Sequence, residues 1–69
     1  MKYPGQMEDQ YVAERAIENA LYDLRSDEPM SPYHRDKRKK TIHNELFFLR
    51  NEHPDSYILQ PDFDLSYPD

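Results

Sequence analysis

Cysteine is absent from this sequence, and glycine occurs once, at Gly5. Without cysteine the chain has neither disulfide bonds nor thiolate ligands for a metal ion. A single glycine cannot build the glycine-rich loops through which backbone amides approach phosphate groups. Nucleotide-binding sites of those kinds are therefore excluded.

Long apolar segments are missing as well. No run reaches the roughly 18 apolar residues that a membrane-spanning helix needs. The stretch Met1–Gln6 lacks the apolar core of a secretory signal peptide. We therefore expect a soluble protein with no membrane contact, located in the cytoplasm, or in the host cytoplasm if a phage encodes it.

The residues that could perform catalysis or hold a metal ion are unfavourably spaced. The serines fall in predicted turns and in the C-terminal segment, without a recognisable arrangement of histidine and carboxylate around them. His34, His43 and His53 lie nine and ten residues apart, whereas helical metal ligands recur at steps of about three or four residues. Paired carboxylates are interpreted as solvated charge, because no cleft is predicted around them. We expect no enzymatic activity, no metal site and no cofactor.

The chain length limits the size of the core. Sixty-nine residues, of which 36% are hydrophobic and 33% charged, can form one small domain whose core supplies roughly 3–5 kcal/mol of stability. Such a domain gains stability from association. The composition therefore favours a homodimer or a complex with another macromolecule.

The first part of the sequence has the apolar periodicity of an amphipathic helix. Apolar side chains recur at steps of three and four residues and predict a helix from about residue 7 to residue 26. The residues of this apolar face are Val12, Ala13, Ala16, Ile17, Ala20, Leu21 and Leu24. Glu8 and Asp9 fall in the first turn, where the positive end of the helix dipole favours carboxylates.

A turn that contains two prolines separates this helix from a second one. Pro29 disfavours helical geometry at the residue before it, and Ser31 followed by Pro32 is typical of an N-cap and a first helical position. The second helix is predicted over residues 32–53, and Pro54 ends it. Its apolar face comprises Ile42, Leu46 and Leu49.

Two helices joined by a short connection normally pack antiparallel. The predicted fold class is all-α, an antiparallel two-helix hairpin over residues 1–53 followed by an extended tail over residues 54–69. In this hairpin Ile17, Leu21 and Leu24 would face the apolar residues of the second helix. One apolar seam leaves other aromatic side chains exposed, so either the tail or a second copy of the chain is expected to cover them.

The tail carries a Pro-Asp pair three times at a seven-residue interval: Pro54-Asp55, Pro61-Asp62 and Pro68-Asp69. Prolines at this spacing exclude a helix. Extended geometry would place Phe63, Leu65 and Tyr67 on one side of the chain and polar residues on the other. Chance explains the repeat equally well at this length.

Charge is distributed in three blocks. Residues 1–30 carry three basic and seven acidic groups, residues 31–53 six basic and three acidic, and residues 54–69 four acidic groups. The middle block contains a group that we call the basic cluster: Arg35, Lys37, Arg38, Lys39 and Lys40. This cluster either contacts nucleic-acid phosphates or pairs with acidic residues of the first helix and the tail. The net charge of −5 favours internal pairing.

The acidic first helix and tail form a second candidate surface. Acidic residues mixed with aromatic ones suit docking on a basic protein, because charge accelerates the encounter and aromatic side chains provide anchors. The residues predicted to contact the partner are Glu14, Glu18, Asp55, Tyr57, Asp62, Phe63, Asp64 and Tyr67. In size and charge the chain resembles the small acidic proteins with which phages inhibit host factors, some of which mimic DNA.

We therefore predict a non-catalytic inhibitor or regulator that occupies a basic, nucleic-acid-binding face of another protein. Two alternatives remain open. One is a regulator that binds nucleic acid through the basic cluster, and the other is an assembly or adaptor subunit that uses exposed aromatic residues. The acidic surface could also serve only to keep the chain in solution.

Overall fold

The computed structural model describes the backbone of residues 5–68 and the side chains of residues 9–68. Two α-helices, α1 (Gly5–Arg25) and α2 (Pro32–Glu52), are followed by a short 3-10 helix (Tyr57–Leu59). No β-strand occurs in the described residues. The two α-helices pack against each other as a hairpin, so the predicted all-α class is confirmed.

The ends of α2 follow the signals in the sequence. Ser31 has extended backbone, with φ −64° and ψ 154°, and its hydroxyl oxygen accepts a hydrogen bond from the His34 N–H. Pro32 begins the helix, at a position where its missing N–H needs no partner. At the other end His53 is the C-cap, and Pro54 prevents a further turn.

The core lies between the two helices and under the tail. In residues 9–68 its buried hydrophobic residues are Ala13, Ile17, Ala20, Leu21, Leu24, Ile42, Leu49 and Ile58. The residues predicted to face each other do meet, since Ile17, Leu21, Leu24, Ile42 and Leu49 lie in this core and Leu46 packs against it. Val12 and Ala16, which the periodicity also assigns to the apolar face of α1, are not part of the core. Seven of these eight residues come from the helices and one comes from the tail, so the tail completes the core.

The tail folds back over one side of the hairpin. The prediction of extended geometry is wrong for residues 57–59, which form the 3-10 helix because the Ser56 hydroxyl caps it and Ile58 at its centre is fully buried. The predicted alternation is present further on. Phe63, Leu65 and Tyr67 pack partly buried against the core, while the residues between them are exposed.

The first two Pro-Asp pairs form turns. The Ser56 N–H donates to the His53 carbonyl at 3.0 Å, and the Phe63 N–H donates to the Gln60 carbonyl at 3.1 Å. Each Pro-Asp pair therefore supplies the two central residues of a four-residue turn, where the fixed φ of proline suits the first central position. Asp69, in the third pair, lies outside the described residues.

Candidate functional site

The hairpin has two broad faces, and the tail covers one of them. The side chains of this tail face that interact with the tail are Glu14, Glu18, Arg25, Arg35 and Lys39. Residues two positions apart on a helix point about 200° apart, so Val12 and Ala16 lie away from the tail. The opposite side, which we call the open face, comprises Asp9, Val12, Ala16, Glu45 and Phe48.

Glu14 attaches α1 to the tail inside the protein. Its carboxylate accepts a hydrogen bond from the Ser56 hydroxyl at 2.6 Å and another from the Gln10 amide at 3.1 Å. Only 8% of Glu14 is exposed. In the described residues every buried side-chain nitrogen or oxygen has a hydrogen-bond partner. Glu14 is therefore an internal anchor, and the structure does not place it on the predicted contact surface.

Glu18 and Tyr57 form a second attachment, at the surface. The Tyr57 hydroxyl donates to the Glu18 carboxylate, and the Tyr57 ring meets Phe63 edge-on with 5.8 Å between centroids. The hydrogen bond to Glu18, together with partial burial and the negative charge of Glu18, raises the pKa of Tyr57 to about 12. Because 47% of Tyr57 remains exposed, the ring is held in place and still accessible.

Arg25, at the end of α1, holds the last part of the tail. Its guanidinium donates to the Asp64 carbonyl at 2.8 Å and to the Ser66 carbonyl at 2.9 Å. These two hydrogen bonds use the planar fork of N–H donors that arginine has and lysine lacks. Hydrogen bonds from the Ser66 hydroxyl and backbone N–H to the Asp64 carboxylate lower the pKa of Asp64. The Asp64 side chain is nevertheless 75% exposed, so its orientation is fixed while its charge faces solvent.

Most of the predicted contact residues lie in the tail or bind to it. Asp55 and Asp62 are exposed in the two Pro-Asp turns. We use the name acidic ridge for the exposed aspartates of the tail together with the contacting Glu18, Tyr57 and Phe63; its residues are Glu18, Asp55, Tyr57, Asp62, Phe63 and Asp64. Of the other two predicted residues, Glu14 lies inside the protein, and Tyr67 lies near the end of the tail beside α2.

Two members of the basic cluster are bound within the chain. Arg38 donates to the Asp23 carboxylate of α1 at 2.8 Å, and Arg35 donates to the Pro68 carbonyl of the tail. The Arg38 contact is the internal pairing with an acidic residue that the net charge favours, whereas the Arg35 contact is to a backbone carbonyl. They also join α2 to the two other elements of the fold.

The three lysines of the basic cluster differ in their surroundings. The Lys39 ammonium lies 6.0 Å from the centroid of the Tyr67 ring. Lys37 and Lys40 are exposed, the first beside the Tyr33 ring and the second in an ion pair of 3.4 Å with Asp36. The cluster is therefore not a single free basic surface, because its members point in different directions.

Sequence reasoning missed three residues that hold the tail. Arg25, Ser56 and Ser66 carry much of the hydrogen bonding. Ser56 had a local signal, since a serine directly before a short apolar segment is typical of a helix cap. Arg25 had no local sequence signal, because its hydrogen-bond partners lie 39 and 41 residues away in sequence.

Other kinds of site are not found in the part of the chain that the structure describes. It contains no group of three or more histidine, aspartate or glutamate side chains that could hold a metal ion. No helix there is long and apolar enough to cross a membrane. Comparison with protein-family models, with curated proteins and with solved structures gives no match.

Proposed function

We propose that this chain is a non-catalytic inhibitor or regulator whose acidic ridge occupies a basic, nucleic-acid-binding face of another protein. One observation carries this proposal. The ridge is held in a defined conformation by Glu14, Glu18 and Arg25 of α1, yet its aspartates remain exposed to solvent.

Charge and aromatic contact are combined on this ridge. Asp55, Asp62 and Asp64 are exposed, and exposed carboxylates speed and orient the approach of a basic partner. Tyr57 stacks edge-on against Phe63 between them. A tyrosine with its ring half exposed and its hydroxyl already bonded is suited to act as an anchor at the centre of an interface.

The order of the tail also favours binding. A free tail would lose conformational entropy when it bound, at a cost of about 0.5–1.5 kcal/mol for each side chain immobilised. Here Ile58 is fully buried and the adjacent turns are hydrogen-bonded before any partner arrives. Most of this cost is therefore met during folding, and the acidic ridge can bind as a formed surface.

Affinity capture with matched variants tests the proposal. The first bait carries Asp55→Asn, Asp62→Asn and Asp64→Asn. The control bait loses three charges from exposed residues elsewhere, through Asp27→Asn, Glu28→Gln and Glu52→Gln. We expect the wild type and the control to capture the same basic protein. With that protein purified, the ridge variant should bind at least about tenfold more weakly, and the control should bind within about twofold of the wild type.

The narrower form of the proposal, DNA mimicry, has its own measurement. If the ridge occupies a nucleic-acid-binding face, duplex DNA should displace the chain from the captured protein, and binding should weaken steeply with salt. A captured protein that binds both baits equally, or one that is acidic, contradicts the proposal. Capture without displacement by DNA contradicts the mimicry alone.

Direct nucleic-acid binding through the basic cluster has less support. Arg35 and Arg38 are bound to other parts of the chain, so Lys37 and Lys40 would supply much of the accessible charge. A gel shift at low salt separates the two functions, because a mimic does not retard DNA by itself. Retardation that disappears in a Lys39→Glu, Lys40→Glu variant would favour the basic cluster instead.

A further inference from the structure

The open face is a second apolar surface that the tail leaves uncovered. Asp9, Val12, Ala13, Glu45 and Phe48 line a shallow groove between α1 and α2. Val12 also borders a neighbouring depression on α1, and 60% of its surface is exposed. Phe48 lies nine residues after Lys39 and therefore points about half a turn away from it, on the side opposite the tail.

The charges of this face are unequal at its two ends. In the antiparallel hairpin the start of α1 lies beside the end of α2, so Asp9 and Glu45 place two carboxylates at one end. Lys37 lies eleven residues before Phe48, close to three helical turns, and so on the same side of α2 roughly 16 Å away. Near Lys37 the Asp23 and Arg38 charges neutralise each other at 2.8 Å, so Lys37 places a positive charge at this end of the open face, which we call its positive end.

We propose that the open face is the surface through which two copies of this chain associate. A two-fold axis that lies in the interface and runs perpendicular to the helices places the acidic end of one copy on the positive end of the other, and the symmetry makes this contact twice. Val12 and Ala16 lie between the two ends. The small Ala16 side chain allows the helices to approach closely there.

The small size of the core also favours a second copy of the chain as the partner that covers the open face. Among the side chains that the structure describes, eight buried hydrophobic residues, two of them alanines, form a small core, and chains of this length commonly gain stability by association. Covering Val12 and completing the burial of Phe48 would extend this core across the interface. Because the tail faces then point outward on both sides, the dimer presents two acidic ridges, a consequence that rests on the proposed function.

Analytical ultracentrifugation of the full chain tests the dimer. At low salt, and from about 1 to 200 µM, we expect the mass to rise from 8.4 kDa to twice that value. Val12→Asp should leave a folded monomer throughout this range, as judged by unchanged helical circular dichroism. Tyr22→Ala, which alters a side chain 76% exposed elsewhere on α1, should leave the dimer intact.

A charge exchange tests the orientation of the two copies. Glu45→Lys and Lys37→Glu should each raise the dimer dissociation constant by about tenfold or more, and the double variant should restore it to within about threefold of the wild type. A wild type that remains monomeric overturns the proposal, as does a dimer that Val12→Asp leaves unchanged. Single variants without rescue overturn the two-fold arrangement. The ridge variant with three asparagines should dimerise normally, so this test and that of the proposed function can fail separately.

Discussion

The two faces of the hairpin use polar residues in different ways. On the tail face, Glu14, Glu18 and Arg25 form hydrogen bonds to residues about forty positions away in sequence. On the open face, Asp9 and Glu45 border a groove that contains Val12 and part of Phe48, and the described tail does not reach it. Acidic side chains thus attach the tail on one face, whereas on the other face they remain available to contact a partner.

This difference shows that position relative to the tail, rather than residue type, decides which carboxylates can contact a partner. Glu14 and Asp55 were both predicted contact residues. Glu14 faces the tail and is buried, whereas Asp55 lies in a turn of the tail and is exposed. The acidic residues of α1 that face the tail therefore hold it in place, whereas the acidic residues of the tail itself are exposed to solvent.

Truncation of Ile58 should be the strongest way to weaken the tail face. This side chain is fully buried and is the tail's contribution to the buried core. Ile58→Ala removes buried methyl groups and leaves a cavity, so we expect a loss of about 2–4 kcal/mol in the free energy of unfolding. Urea denaturation followed by circular dichroism measures this loss.

The matched control for Ile58 lies on the open face. Val12→Ala removes methyl groups from a side chain that is 60% exposed, so its cost in dilute solution should be below about 0.5 kcal/mol. If both variants lost the same free energy of unfolding, the buried Ile58 side chain of the tail would contribute no more to stability than the exposed Val12 side chain does. That result would remove the distinction between the faces.

Loss of the Ser56 hydroxyl should have the next largest effect. Ser56→Ala removes the donor to the buried Glu14 carboxylate and the cap of the 3-10 helix. A buried acceptor without its partner costs about 1–3 kcal/mol. Glu14→Gln should cost less, because its amide oxygen can still accept from Ser56. Thermal unfolding compares the two variants, and a Ser56→Ala protein as stable as the wild type would contradict the role of this bond.

The helices were predictable because their signals are local. The three- and four-residue periodicity of α1, and Ser31, Pro32 and Pro54 around α2, operate within one or two helical turns. The observed bounds, Gly5–Arg25 and Pro32–Glu52, differ from the predicted ones by at most two residues. The alternation in the last part of the tail was equally local, and the structure confirms it.

The attachment of the tail was not predictable from local pattern. Glu14 looks like an ordinary exposed helix residue, because its partner Ser56 lies 42 residues away. The pairing of Asp23 with Arg38 was one of several combinations that the charges allowed, and only the packing of α1 on α2 selects it. Local propensity identifies which residues can form such contacts, whereas the tertiary fold decides which of them do.

Titration of Tyr57 should give the smallest effect on stability and the most specific test of the tail face. The folded-state pKa of about 12 lies above the usual value near 10. The hydrogen bond to Glu18 therefore stabilises the tail fully below about pH 10, and this contribution is lost as the pH rises through the folded value of about 12. Ultraviolet absorbance of the tyrosinate ion should show a late step equivalent to one of the six tyrosines.

Three variants assign this late step. Tyr57→Phe should abolish it, whereas Tyr22→Phe should remove one tyrosine from the spectrum and leave the late step in place. Glu18→Gln should move the step to lower pH, because the amide can still accept the hydrogen bond but no longer carries the charge that opposes ionisation. If the late step remained in Tyr57→Phe, the raised pKa would belong to another tyrosine. The hydrogen bond between Tyr57 and Glu18 would then be absent in solution, and the acidic ridge would be held only by its other attachments, Glu14, Arg25 and Ile58.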